Sequence, residues 1–198
     1  MKWLAMLLFC GILSSMGCGN SRASELGKLS TFPAADSAKI KAIDAYVETA
    51  KAMSDTLARE TCHPNIYDSL DRYIVARKDG KYLRVLAVYY PENGEFRNDY
   101  FFKDGNLTYV YHREWTPTVT PPVAKEFFIY VENQRIIQLL GRTREFPEPN
   151  PKIPLLFEQP IIEIPLQRDS LWQVVDTDFR RVEDYLNANA NFPAGGGE

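Results

Sequence analysis

The sequence predicts an α+β fold: an antiparallel β-meander of about six strands, with an N-terminal amphipathic helix packed on one face and a shorter C-terminal helix. Three observations carry this. Two-residue turn signals, Asp79-Gly80, Asn93-Gly94 and Asp104-Gly105, punctuate β-branched and aromatic runs across residues 72–113. Apolar residues recur at helical spacing at Ile40, Ile43, Val47, Ala50, Met53 and Leu57. Near the other end Phe179, Val182, Tyr185 and Leu186 share one helical face.

The first helix is expected over 37–60, with Asp36 or Ser37 able to cap its start and Lys39, Lys41, Asp44, Glu48 and Lys51 on its polar side. That side is too weakly basic for a helix lying on a membrane, so the apolar stripe reads as packing against a sheet. Cys62 and His63 are read as a packing pair at the helix end, and Pro64 marks a chain that has left the helix.

Glycine after Asn or Asp suits a type I′ turn, whose central residues both need positive φ. Two-residue loops then fix the register. Ile74 and Ala76 face Val85 and Leu83; Val85 and Ala87 face Phe102 and Tyr100; these in turn face Leu107 and Tyr109, all on one apolar face expected to bury the N-terminal helix. The other face mixes Tyr82, Arg84, Leu86, Val88, Tyr90, Arg97, Asp99, Phe101, Thr108, Val110 and His112.

"KEFFIYVENQRIIQLL" repeats the pattern, with Asn133-Gln134 as a bend between two further strands. Residues 147–165 hold six of the 13 prolines, which excludes helix and leaves an extended arm docked on the domain's own surface. A polyproline ligand, with "PKIP" as its compact spacing, is the alternative for this arm. Residues 177–188 form the last helix, which "SLWQVV" either extends or precedes as a short strand, and 191–198 read as a disordered tail.

Upstream of the domain, Lys2 and the apolar run 3–13 have the layout of an export signal, too short to span a bilayer, which takes ~20 apolar residues. Ser15 and Gly17 place small residues before Cys18, so cleavage after Gly17 is expected. This arrangement resembles the lipobox of bacterial lipoproteins, although Ser15 and Met16 stand where leucine and alanine or serine are usual. "FFKDGNLTYVY" and "FIYVENQRIIQLL" likewise resemble aromatic hairpins common among uncharacterised Gram-negative lipoproteins. The resemblance implies a diacylglyceryl thioether on Cys18, a membrane-lipid partner through it, and residence in the cell envelope, at the outer membrane facing the periplasm. An unlipidated periplasmic domain is the alternative, and a Cys18–Cys62 disulfide belongs to it. The expected organisation is a signal peptide (1–17), a tether (18–35) and one globular domain (36–190).

The chain of 198 residues carries a formal charge of −3, and this mild acidity argues against nucleic acid or an anionic membrane surface as partner. No catalytic, nucleotide-binding or CxxC signature is present, and no cofactor or metal is expected. Aromatic residues make up 13% of the chain, and Tyr82, Tyr90, Phe101, His112 and Trp115 stand on or beside the mixed face, where they form a candidate surface for a protein or glycan. The same register sets Arg97 opposite His112 near Asp99 and Glu114, which is the basis for an alternative reading as a small hydrolase. The leading expectation is a noncatalytic, lipid-anchored envelope protein that binds a protein or cell-wall component.

Overall fold

Asp79 and Gly80 take φ of 51° and 75°, and Asp104 and Gly105 take 55° and 87°, so both pairs turn the chain as a type I′ hairpin requires. Asn133 and Gln134 do the same without glycine, at 50° and 59°. The structure, a computed structural model, describes residues 34–92, 94–147, 156, 158–164 and 168–189. Cys18, the tether, the "PKIP" stretch and the glycine-rich tail lie outside these residues.

The described chain is an α+β fold with an open antiparallel sheet of eight strands, two more than expected. Helix α1 (Ala34–Thr56) comes first, followed by β1 (Arg59–Cys62), β2 (Arg72–Lys78), β3 (Lys81–Tyr89) and β4 (Glu95–Lys103). Then come β5 (Asn106–Thr116), β6 (Val123–Glu132), β7 (Arg135–Glu145), β8 (Ile162–Glu163) and helix α2 (Arg168–Asn189). Each strand pairs with the next in sequence. The two extra strands lie at the edges: α1 stops at Thr56, and Cys62 pairs with Tyr73 in β1 rather than closing a helix. The C-terminal helix has 22 residues against 23 in α1, because "SLWQVV" extends it.

The pairing departs from the expected register for two physical reasons, of which only the second moves side chains to the other face. One is the Pro91–Gly94 turn, closed by the Gly94 N–H on the Pro91 carbonyl at 3.0 Å, which makes the β3–β4 connection longer than two residues and slides Val85 opposite Tyr100. Glycine is needed here, since a Cβ at position 94 would stand 1.8 Å from the Trp115 carbonyl oxygen. The other reason is a set of bulges, at Ala76/Arg77, Phe101/Phe102 and Tyr130/Val131. A bulge adds one residue to one strand, so side chains beyond it exchange faces. Thus Ile74 faces Leu86 and not Val85, and Tyr100 faces Val110 and not Tyr109.

Both faces of the sheet are therefore apolar in part, and a helix packs on each. On one face Val85, Ala87, Tyr100, Phe102, Val110 and Ile129 meet the α2 stripe of Leu171, Val175, Phe179, Val182 and Leu186. On the other Leu83, Phe101, Tyr109 and Tyr130 meet Val47 and Ala50 of α1. The expectation that α1 covers Val85, Tyr100 and Phe102 is thus corrected: α2 takes that face. Polar bonds fix α1 in place, from the Tyr130 hydroxyl to Asp44 at 2.9 Å and from Tyr46 to the Phe102 carbonyl. From the proline-rich segment, Leu156 is fully buried beside Ala124, Phe146 and Trp115, and the Ile164 N–H donates to the Leu139 carbonyl at 3.0 Å.

Candidate functional site

The five candidate binding residues do not share a surface. Tyr82 lies on the α2 side, its ring 5.7 Å from Phe102 and 6.2 Å from Phe179, with the Arg77 guanidinium 4.2 Å from its centroid. Phe101 is fully buried beneath α1. His112 is buried on the α2 side, and Trp115 meets Phe146 edge to face at 5.6 Å. Tyr90 follows β3, and its backbone N–H donates to Asp71 at 2.8 Å. The cause is the same pair of helices: the aromatic rings mostly serve the two cores.

His112 and Asp99 are not brought together either. Asn98, not Arg97, stands opposite His112, so Asp99 projects from the other face of β4, while Arg97 stands opposite Arg113. His112 Nδ1 lies 2.6 Å from Asn98 Oδ1, and Asn98 Nδ2 donates to Asp178 at 2.8 Å. Because Asp178 accepts, Asn98 presents oxygen to the imidazole, which sets the ring hydrogen on Nδ1. Burial, and secondarily the Lys125 charge, lower the His112 pKa to about 3. The ring is neutral at ordinary pH, stacked on Phe127 at 5.8 Å, and too weak a base for proton transfer near neutrality. Asp178 is shifted upward by burial, against the hydrogen bonds from Tyr100 and Asn98 and the charge of Arg181.

The bulges gather charge on the α1 side instead. Ile74, Ala76, Arg84, Leu86 and Arg97 of the sheet, with Lys51, Ser54 and Asp55 of α1 and Arg59 just beyond it, line an open groove of about 400 Å³. That volume lies within the range of about 300–1,000 Å³ usual for small-ligand sites. The helix positions its lining residues at i, i+3 and i+4, and the strands supply theirs from alternate positions on one face.

Three of the four cations at the groove have their own carboxylate. Arg84 Nε and Nη2 donate to Asp99 at 2.8 and 2.7 Å, and Arg84 Nη1 donates to Ser54 Oγ at 3.2 Å. Arg59 donates to Asp55 and to the Ser54 carbonyl, the latter at 3.1 Å. Lys51 pairs with Glu48 at 2.8 Å. Arg97 differs: its nearest carboxylate oxygen is Asp99 Oδ2 at 3.8 Å, already bonded by Arg84, and its Nε is buried with no hydrogen-bond partner among the described residues. Phe101 underlies these cations, its ring centroid 5.3 Å from the Arg84 guanidinium and 6.0 Å from Lys51 Nζ. Alternating charge at Arg97, Asp99 and Arg84 was visible on the mixed face in the sequence, but the contribution of Lys51 and Arg59 depends on which face α1 covers.

Among the described residues, no group of three or more His, Cys, Asp or Glu side chains is placed to hold a metal ion, and no helix is long and apolar enough to cross a membrane. Compared with known proteins, the chain matches no family model, no curated protein and no solved structure.

Proposed function

We propose that this chain is a noncatalytic, lipid-anchored protein of the bacterial envelope, held through acylated Cys18 at the periplasmic face of the outer membrane, and that its domain binds a protein or cell-wall component. The observation that carries the binding half is the groove of about 400 Å³ beside α1, open to solvent and lined by Arg84 and Arg97 over an apolar floor. The groups that a hydrolase would need are committed elsewhere: His112 is neutral and buried, and Asp99 is held by Arg84 on the opposite face. The anchoring half rests on the apolar run 3–13 and on Cys18 after Gly17.

A capture experiment tests the binding half. The full chain, crosslinked in intact envelopes, is compared with the Arg97→Met and Tyr90→Ala variants. Recovery of one partner that falls with Arg97→Met and persists with Tyr90→Ala supports the groove. Identical recovery from all three chains removes the groove from the function.

A further inference from the structure

We infer that the groove beside α1 is an oxyanion site, in which the Arg97 guanidinium grips a carboxylate or phosphate group on a small ligand. The inference rests on the reading of the domain as a binding module and is independent of where the chain is anchored.

Charge is the first argument. Lys51, Arg59, Arg84 and Arg97 line the groove, Asp55 and Asp99 offset two of them, and Glu48 pairs with Lys51. Arg97 is left to share Asp99 at 3.8 Å with an arginine that already bonds both carboxylate oxygens. Its position worsens this, because Arg113 stands directly opposite it across β4 and β5, and Glu95 occupies Arg113 at 2.7 Å. Like charges directly opposite one another in a sheet are unfavourable. An arrangement of this kind is relieved by an anion.

Hydrogen bonding is the second argument. Arg97 Nε has no hydrogen-bond partner among the described residues, and the side chain, 32% exposed, is reachable from the groove, so a bound oxygen would supply an acceptor that these residues do not. Guanidinium presents parallel N–H groups matched to a carboxylate or a phosphate, so the missing acceptor has a defined shape. Arg84 cannot serve as that fork: Asp99 and Ser54 use its nitrogens.

The rest of the wall defines the remainder of the ligand. Ile74, Ala76 and Leu86 give an apolar floor, and the volume of about 400 Å³ suits a body the size of a single sugar or a short chain. A sugar acid of the cell wall and a phosphorylated metabolite share this chemistry, and the test separates them.

The full chain is titrated at constant ionic strength with inorganic phosphate, with N-acetylmuramic acid, and with N-acetylglucosamine, which is the same kind of sugar without the carboxylate. Thermal midpoint and the Nε–Hε resonance of Arg97 are followed together. Phosphate or N-acetylmuramic acid is expected to raise the midpoint and move that resonance, whereas N-acetylglucosamine and chloride leave both in place. Arg97→Met is expected to abolish the midpoint response, and Arg97→Lys, which keeps the charge and loses the fork, to weaken binding by about 10-fold or more. Because the lysine variant removes no charge, it retains the test should the methionine variant not fold. A response by phosphate alone or by the acid sugar alone identifies the source of the oxyanion. An equal response from wild type and Arg97→Lys, or one matched by chloride, overturns the site. Capture of an envelope partner by a chain without any anion response overturns the oxyanion and leaves the binding module standing.

Discussion

The Arg84 guanidinium closes two hydrogen bonds on the Asp99 carboxylate, at 2.8 and 2.7 Å, while Arg97 waits at 3.8 Å from the same group. Asp99 is nearly fully buried, so removing it strands two cations against the sheet. Asp99→Ala is expected to lower unfolding free energy by about 3–5 kcal/mol in urea titrations. Arg84→Met should cost distinctly less, because Arg97 is placed to take over the carboxylate. Equal losses for the two variants would show that Arg97 does not compete for Asp99.

His112 provides a pH dependence of definite sign. Its folded pKa of about 3 lies below the ordinary 6.5, so the unfolded chain binds more protons between these values. Stability from this group is present above about pH 6.5 and is lost progressively as pH falls toward 3. His112→Gln should flatten that decline, and the ring of the wild-type chain should show no NMR titration near pH 6.5. Asp178, whose folded pKa lies above 3.8, acts in the opposite sense: its contribution is present below that value and lost as pH rises through the folded pKa. A ring that titrates in the ordinary histidine range contradicts the packing described for β5 and α2.

Asp71 organises the loop before β2. Fully buried, it accepts the N–H of Tyr67 at 2.6 Å and of Asp68 at 3.1 Å on one oxygen, and the N–H of Tyr90 at 2.8 Å on the other. Asp71→Ala leaves three backbone donors without an acceptor and is expected to cost about 3 kcal/mol or more. Asp71→Asn keeps one oxygen and should fall between it and wild type. Equilibrium unfolding of both variants checks the order.

Much of the meander was legible because the turn chemistry is local. Asp79-Gly80 and Asp104-Gly105 readily adopt the positive φ that a type I′ turn needs, and the β-branched runs between them have few alternatives to a strand. The face of each strand was less legible, because a bulge at Phe101/Phe102 leaves no mark in composition yet turns Tyr109 from the α2 side to the α1 side. Residues 59–62 and 162–163 become strands only by pairing with β2 and β7, so no local pattern announces them. The stripe on α1 was readable, but which face it covers depends on those bulges. For the same reason nothing in the sequence marks Lys51 and Arg59 as neighbours of Arg84 and Arg97.

Attachment of the chain to a membrane is the claim on which the cellular role depends, and the mass of the mature N-terminal peptide tests it most directly. The expected first residue is Cys18 carrying a diacylglyceryl thioether, with residues 1–17 absent. A bare thiol at that position, or a peptide that still begins at Met1, contradicts it.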